Sequence, residues 1–237
     1  TAFLDWFTTN KLPRVGRINL TYALTAQGTT RTEYTIVRLA EDEYYLVSAG
    51  AWTDYDSDYL RKAVADKMPE FGAIEVQDVT TQWGVFAIAG PKSREVLSAV
   101  IKDADPASAL SNKRFPWLSA KQIELRMCPV NAIRVAYTGE LGWELHHPIN
   151  RQVELFDALC EAGQEFGMVH FGMYAMESMR IEKSYRMIGM DLAREYSLLE
   201  AGLLRFINFY NTVKPHKGID NMTPYEKLID YFYGEKV

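Results

Sequence analysis

Short segments of alternating apolar and polar residues, separated by turn-forming residues, constrain the fold of this chain most strongly. "RINLTYALT" and "TEYTIVRLA" are separated by "AQGTTR", and "EYYLVSAG" follows an acidic turn. This pattern predicts a meander of three antiparallel strands. The next segment, "TDYDSDYLRKAVADKM", has apolar positions at helical spacing, and Gly72 ends it. Strands followed by a helix that can cover one face of their sheet predict an α+β fold.

The same kinds of pattern continue along the chain. "AIEVQDVT" and "WGVFAIAG" are predicted to pair as strands, and Gly90-Pro91 opens the helix "KSREVLSAVI". Two more strands, "KQIELRMCPV" and "AIRVAYT", are predicted before the turn "TGELG" and the return strand "WELHHP". Asn150 is predicted to cap the helix "RQVELFDALCEAGQEF". The apolar face predicted for that helix contains Val153, Phe156, Leu159 and Cys160.

Composition excludes several classes of protein. The formal charge of -5 over 237 residues disfavours nucleic acid as a partner, since binding a phosphate backbone depends on clustered Lys and Arg. No apolar run approaches the roughly 20 residues that span a bilayer. Cys128 and Cys160 lack metal-ligand spacing, so we expect no metal site, reduced thiols and a cytoplasmic location. The chain opens in a helical pattern at Thr1, and we interpret it as an internal fragment.

The stretch "RVAYTGELGWEL" carries the most specific indication of chemistry. Gly139 and Gly142 allow a sharp turn, so that Tyr137 before it and Glu144 after it can point into one cavity. A carboxylate near aromatic surface suits a ring with adjacent N–H donors, and a pterin is such a ring. The pattern alone equally allows Glu144 to lie on the solvent face of its strand.

At this point the residues carry a family resemblance. "YTGELGWEL", together with "GPKSREVL", "SMRIEKSYR" and "LEAGL", resembles the tetrahydrofolate-binding aminomethyltransferase family. That family comprises the T-protein of the glycine cleavage system and the folate-binding half of dimethylglycine and sarcosine dehydrogenases or oxidases. "GELGWEL" and "MRIEKSYRMIG" are closer to the dehydrogenase branch. The resemblance covers residues 1–203, and it implies antiparallel sheets with covering helices, without the family's C-terminal β-domain.

The resemblance also implies site residues. Tyr137 and Glu144 would contact the pterin of tetrahydrofolate, and Arg180 would be a cation near the folate. Glu33, in "GTTRTEYTIVRL", stands where the family has a catalytic Asp. Its extra methylene bears on catalysis, because a positioning error near 1 Å can cost about a hundredfold in rate. By alternation alone, Glu33 can instead be a surface carboxylate of its strand.

The implied activity is transfer of a one-carbon unit to tetrahydrofolate from a small amine or iminium donor. In the dehydrogenase branch a separate flavin domain makes the iminium, and no G-x-G-x-x-G fingerprint occurs in this chain. A flavoprotein domain or subunit is therefore the expected partner. The alternative is a truncated chimeric remnant without catalytic activity. Transposition of DNA is a third hypothesis, and it lacks a basic surface and an acid triad.

After Leu203 the sequence changes character. Residues 204–237 resemble the C-terminal end of integrase-core transposases, upstream of which that family's catalytic acids lie. The matching residues are Phe206, Tyr210, Asn211, Pro215, His216, Thr223 and Pro224. We therefore predict a family domain over 1–203 and a catalytically silent tail with one amphipathic helix; the tail can also be a divergent continuation of the family domain. Loss of a C-terminal domain would expose apolar surface, which the tail helix or homo-oligomerisation could cover.

Overall fold

The computed structural model describes residues 1–203. The resemblance of residues 204–237 to a transposase and their predicted helix lie outside the described residues. The helices of the described part are α1 (Ala2–Phe7), α2 (Thr53–Phe71), α3 (Ser93–Val100), α4 (Pro106–Ala109), α5 (Gln152–Gln164) and α6 (Met173–Glu182). The strands are β1 (Ile18–Leu24), β2 (Thr30–Arg38), β3 (Tyr44–Val47), β4 (Trp83–Ala89), β5 (Ala120–Leu125), β6 (Cys128–Ile133) and β7 (Gly142–Pro148). Short 3-10 turns occur at Gly50–Trp52, Thr80–Gln82 and Ile149–Arg151. No helix in the described range is both long and apolar enough to cross a membrane.

The described chain divides into two compact units. Unit 1 contains Thr1–Val15, Asn19–Val76 and the residues from Arg186 onward, and unit 2 contains Gly16–Ile18 and Gln77–Tyr185. Each unit has its own sheet: β1-β2-β3 in unit 1 and β4-β7-β6-β5 in unit 2. Adjacent strands of the second sheet all pair antiparallel. The predicted α+β class with antiparallel sheets is thus confirmed, as is the three-strand meander.

The first sheet carries two apolar clusters. Phe3 and Phe7 of α1 are buried with Tyr34 and Ile36 of β2, and residues of α2 pack around them. The second cluster joins Tyr22 of β1 to three residues near the end of the described chain, namely Leu192, Leu198 and Ala201. The segment 186–203 therefore packs against β1, although the sheet β1-β2-β3 is built from residues much earlier in the sequence.

A stack of alternating aromatic rings and guanidinium groups also holds this segment. The Arg194 guanidinium carbon lies 3.7 Å from the ring centre of Tyr55 and 4.9 Å from that of Trp52. The Arg31 carbon lies 3.3 Å from the Tyr55 centre and 4.4 Å from that of Tyr59. Two guanidinium groups this close to one ring fit only on opposite faces of it. We call this order, Trp52, Arg194, Tyr55, Arg31 and Tyr59, the cation–aromatic ladder.

The core of unit 2 lies between its sheet and the helices α3 and α5. Its fully buried members include Leu97, Leu110, Phe115, Trp143 and Leu145. Trp143 and Leu145 come from β7, the strand between β4 and β6. Glu144 lies between these two residues in β7. Because the burial of Trp143 and Leu145 fixes the register of the strand, it also fixes the sheet face from which the Glu144 side chain projects.

The predicted strand at residues 73–80 is wrong. No strand is assigned there, and β4 pairs instead with β7, from Trp83 opposite Pro148 to Ala89 opposite Gly142. Ile74 packs against the aromatic cluster of unit 1, and the division between the units follows Val76. An apolar residue used to anchor a connection gives the same local pattern as a strand residue, so alternation misassigned this segment.

The predicted boundaries around β5 and β6 are also wrong. "KQIELRMCPV" is not one strand, because a hairpin turn at Arg126 and Met127 divides it, and Leu125 pairs with Cys128. Arg126 has φ of +55°, the left-handed conformation that such turns require. No glycine marks the turn, which is why the sequence pattern did not reveal it. The strand predicted as "AIRVAYT" ends early, since β6 stops at Ile133.

Leu159 of helix α5 is buried as predicted, but most of the face that this helix turns to the core differs from the predicted one. Its buried residues are Leu155, Ala158, Leu159 and Gly163. Val153 is 73% exposed, and the ring of Phe156 stacks on His170 outside the core. Asn150 is not the cap: Arg151 holds that position, without a capping side-chain hydrogen bond. The two candidate faces differ by a rotation of about two residues, so composition alone did not separate them.

Candidate functional site

The turn between β6 and β7 depends on its two glycines for different reasons. Gly139 has φ of +71°, and a Cβ there would collide with the Lys183 side chain. Gly142 begins β7, and a Cβ there would lie 2.6 Å from the Ile88 carbonyl oxygen and 2.8 Å from the Ala136 Cβ. Gly139 therefore supplies the backbone conformation and Gly142 supplies the close approach to β4.

Tyr137, at the start of this turn, faces a second tyrosine. The rings of Tyr137 and Tyr185 are inclined by 19°, with their centres 6.4 Å apart. An ion pair also joins the turn to the end of α6, with 3.4 Å between Lys183 Nζ and Glu140 Oε1. Tyr185 therefore supplies a second aromatic side chain next to Tyr137 that the sequence analysis did not single out.

Tyr185 is positioned by the end of α6. The Tyr185 N–H donates to the Arg180 carbonyl and the Ser184 N–H to the Ile181 carbonyl, the two bonds of a Schellman motif. Ser184 occupies the position where glycine is usual, with φ of +57°. A strained, non-glycine residue thus directs the chain immediately before Tyr185.

Arg180, a buried residue of α6, stabilises the backbone at the end of this helix. Its side chain is 2% exposed and donates from Nε to Glu177 Oε2 at 2.8 Å and from Nη2 to Glu177 Oε1. Its Nη1 donates to the Tyr185 carbonyl oxygen at 2.7 Å. These contacts place Arg180 beneath Tyr185, where it holds the backbone of that residue; folate binding by Arg180 stays a prediction.

Glu144 lies in β7, where it is paired with Ala87 of β4 on one side and with Ile133 of β6 on the other. Its side chain is 27% exposed, and Oε2 lies 3.4 Å from Nε2 of the buried His146. The carboxylate is thus neither fully solvated nor enclosed. His146 is a neighbour that the sequence analysis did not consider, although the spacing of two residues along a strand places both on one face.

Glu33 lies in β2, within unit 1, and its environment differs from that of a surface carboxylate. It is partly exposed, its neighbours Thr32 and Tyr34 are buried, and Tyr22 of β1 donates a hydrogen bond to it. Burial raises the pKa of Glu33 to about 7, and the Tyr22 hydrogen bond opposes that rise. A carboxyl group with this pKa exists in both protonation states near neutral pH.

Tyr22 is a partner of Glu33 that the sequence analysis did not single out. It comes from β1, the strand next to β2 in the sheet, and not from the segment around Glu33.

The predicted site residues therefore fall into two groups. Tyr137 and Arg180 meet around Tyr185 in unit 2, where Glu144 follows on β7, whereas Glu33 belongs to unit 1 with Tyr22. Among residues 1–203, no group of three or more His, Cys, Asp or Glu could hold a metal ion. The side chains available are two tyrosines and a carboxylate in one unit and a carboxyl group that titrates near neutrality in the other.

These features define a mixed α and β domain with polar groups suited to binding and to proton transfer. The family model described as the GCVT N-terminal domain matches residues 1–211, so the chain belongs to that family. The match passes Leu203 by eight residues, and the predicted boundary at Leu203 stays a prediction.

Named relatives agree with this family. The chain is 35% identical over 204 residues to the mitochondrial dimethylglycine dehydrogenase of Homo sapiens, covering 86% of this chain and 23% of that protein. It is 28% identical over 205 residues to the aminomethyltransferase of Chlorobaculum tepidum, covering 85% of this chain and 53% of that protein. The chain thus spans about a quarter of the dehydrogenase and about half of the aminomethyltransferase.

A solved structure shows the same fold. The glycine cleavage system aminomethyltransferase T from Bartonella henselae superposes with a TM-score of 0.68 at 21% identity, covering 87% of this chain and 52% of that chain. The predicted fold, with antiparallel sheets as in the aminomethyltransferases, is confirmed by this similarity.

Proposed function

We propose that this chain is a tetrahydrofolate-binding module for one-carbon transfer, of the kind found in dimethylglycine and sarcosine dehydrogenase systems. The family membership supports the class, and one observation carries the chemistry: Glu33 is a carboxyl group whose pKa is about 7. Such a group can both give and accept a proton at the pH of a cell. Strongly raised carboxyl pKa values in an otherwise ordinary strand are typical of functional sites.

The residues of unit 2 fit the planar ring of a pterin. Tyr137 and Tyr185 offer aromatic surface, and Glu144 offers two carboxylate oxygens that can accept hydrogen bonds from adjacent N–H groups. Tyr137 and Glu144 would hold the ring, and Arg180 would act through the backbone of Tyr185. These roles are proposals that rest on the contacts of each side chain.

Bound tetrahydrofolate would supply the nucleophilic nitrogen that accepts the one-carbon unit. The role of the protein would be to position the reactants, to stabilise the charge that develops and to transfer protons. Glu33 in its ionised form would stabilise positive charge that develops on an iminium or aminomethyl donor, and in its neutral form it could protonate a leaving amine. The Tyr22 hydrogen bond limits how far its pKa rises.

The donor and its source are also proposals. A small amine or iminium would be delivered by a flavoprotein domain or subunit. The similarity of this chain to the sarcosine oxidase subunit alpha of Rhizobium meliloti, which is one subunit of an oxidase, supports this proposal. Location in the cytoplasm stays a prediction, since the human dimethylglycine dehydrogenase is described as mitochondrial.

Anaerobic calorimetric titration with tetrahydrofolate tests the binding proposal. We expect Glu144→Ala to weaken binding by about 10- to 100-fold, because it removes charge-assisted hydrogen bonds. Glu33→Gln should keep folate binding and lose transfer of a one-carbon unit from a formaldehyde-derived iminium. The activity of the wild-type chain should rise with pH through about 7 if the ionised Glu33 is required.

The results separate this proposal from a non-catalytic remnant. Binding without transfer in the wild type would retain the folate site and reject the catalytic role of Glu33. Absence of both binding and transfer in the wild type would instead favour the remnant, the alternative predicted from the sequence.

A further inference from the structure

Two arginines of unit 2 share a single neutral partner. Arg94 of α3 donates from Nη2 to Asn112 Oδ1 at 2.8 Å, and Arg134, which follows β6, donates from Nη2 to the same oxygen at 2.7 Å. Arg134 also donates from Nη1 to the Phe115 carbonyl oxygen. We call Arg94 and Arg134 the arginine pair. An amide oxygen offers both guanidinium groups a hydrogen bond but no negative charge.

The arginine pair lacks a counter-charge in the described part of the chain. None of the ion pairs between residues 1–203 includes either arginine. The Nε atom of each is buried without a hydrogen-bond partner among those residues. Arg134 is only 8% exposed, and burial and the nearby charge of Arg94 both lower its pKa. Two adjacent, partly desolvated cations of this kind favour an anion.

A groove that opens at the surface reaches Arg94, the less buried member of the pair. It encloses about 530 Å³ and is lined by Arg94. Its apolar lining includes Pro91, Ala107, Leu141 and Phe166. Glu95 also lines the groove, and its carboxylate lies 3.5 Å from Lys92 Nζ, so part of its charge is already compensated. The groove therefore combines a guanidinium group with an apolar wall, which is the usual composition of a site for an organic anion.

We propose that the arginine pair binds the carboxylate of a small organic acid, whose apolar body lies along the groove. Arg94 makes the direct contact, and Arg134, more deeply buried, adds its charge from behind. A carboxylate matches the planar donor geometry of a guanidinium group with two parallel hydrogen bonds. The motif "GPKSREVL" thereby gains a binding role for Arg94, independent of the folate proposal.

Titration of the full chain with benzoate, followed by calorimetry and by NMR chemical-shift changes, tests the proposal. Benzamide, which is similar in shape and uncharged, is the control ligand, and inorganic phosphate is the second anion. We expect benzoate to bind, benzamide to bind at least about tenfold more weakly, and phosphate to bind more weakly than benzoate because it cannot use the apolar wall.

Variants assign the site. Arg94→Gln should weaken benzoate binding by about tenfold or more, and Arg94→Lys, which keeps the charge and loses the planar fork, should have a smaller effect. The control is Arg114→Gln, because Arg114 is exposed and its guanidinium group donates a hydrogen bond to the Ser108 hydroxyl at 3.4 Å, outside the residues that line the groove. It should leave benzoate binding unchanged.

Three results would each overturn the proposal. They are equal binding of benzoate and benzamide, an unchanged affinity for benzoate in folded Arg94→Gln, and phosphate binding tighter than that of benzoate. Circular dichroism of each variant establishes that it is folded. If the glutamine variant is not folded, an affinity for benzoate that is the same in Arg94→Lys as in the wild type overturns the proposal.

Discussion

The carboxyl group of Glu33 keeps its proton at a pH where most carboxyl groups have lost it. Burial raises its pKa to about 7, although the hydroxyl of Tyr22 donates to its ionised form. Because the unfolded chain has an ordinary carboxyl pKa near 4.5, the native state binds more protons than the unfolded state between these values. Stability must therefore fall as the pH rises from about 4.5 to about 7, and the loss is complete above that range.

Replacing Glu33 by Gln should remove this loss. We expect the free energy of unfolding of Glu33→Gln to exceed that of the wild type by about 1–3 kcal/mol near pH 8 and by much less near pH 4.5, the upper limit being lowered by partial solvent exposure. Urea unfolding at the two pH values measures it. Tyr22→Phe is the matched variant, because it removes the hydrogen bond that holds the pKa down and should steepen the pH dependence. A pH-independent difference between wild type and Glu33→Gln would contradict the raised pKa.

Ser184 is a second residue whose conformation carries a cost. It holds a left-handed backbone conformation at the end of α6, where its N–H bonds the Ile181 carbonyl. Ser184→Gly should stabilise the protein by about 1 kcal/mol, because glycine adopts this conformation without the Cβ strain. Thermal unfolding measures the gain. Ser184→Ala, which keeps the Cβ, should give no gain, and an equal gain in both variants would show that the strain is not the cause.

At the scale of elements, the cation–aromatic ladder joins α2 to the segment 186–203. Arg194 is the only rung that this segment supplies, between Trp52 and Tyr55. Arg194→Ala should release the segment and cost about 1–3 kcal/mol, since two cation–aromatic contacts are lost together. Limited trypsin digestion should then cut faster at Arg186, and the fluorescence of Trp52 should change. Arg61→Ala is a suitable control, because Arg61 is exposed on the same helix and contacts Ser57; equal rates of cutting in the two variants would reject the role of the ladder.

Most helices and strands could be predicted from local sequence patterns, but the pairing of strands that are distant in sequence could not. The meander β1-β2-β3 and the helix that ends at Gly72 follow from alternation, helical spacing and glycine, and all are local signals. The pairing of β4 with β7 joins residues far apart in sequence, and no single segment encodes it. At the turn, Arg126 has a left-handed backbone conformation, and arginine is not a residue type from which such a turn is predicted.

The candidate site could be predicted only in part for the same reason. Gly139 has the turn conformation expected of it, and this role is local. Gly142 instead allows the close approach of β7 to Ile88 of β4, a contact between distant parts of the sequence. The partners Tyr185 and Tyr22 lie outside the segments around Glu144 and Glu33, so those segments do not contain them. His146 lies only two residues from Glu144 in the same strand, and it was within reach of sequence analysis. The buried ion pair of Arg180 with Glu177 has the helical spacing of three residues, and it was within reach of sequence analysis.

At the scale of the whole molecule, unit 2 exposes several apolar side chains along one stretch of the chain. Tyr174 is 95% exposed and Met173 is 66% exposed. Other exposed members are Val169, Phe171 and Ile181. A contiguous run of this kind is typical of an interaction surface. Homo-oligomerisation, predicted from the sequence, would cover it.

We therefore expect the purified chain to self-associate as its concentration rises, and Met173→Lys with Tyr174→Lys to weaken this association by at least about tenfold. Light scattering after size-exclusion chromatography measures the mass. Met68→Lys, at an exposed methionine of α2, is the control and should change nothing. A constant monomeric mass of the wild type at every concentration would contradict the prediction.

Unit 1 is built from segments that are separated in the sequence by unit 2, so it cannot be completed during translation until unit 2 has been synthesised. Its sheet is translated first, but Leu192, Leu198 and Ala201, which cover Tyr22, are translated only after all of Gln77–Tyr185. Synthesis at roughly 5–20 residues per second leaves the part of the nascent sheet around Tyr22 uncovered for several seconds while the second unit is made. The surface around Tyr22 is thus accessible to chaperones and proteases during that interval, until the segment 186–203 leaves the exit tunnel and packs against it.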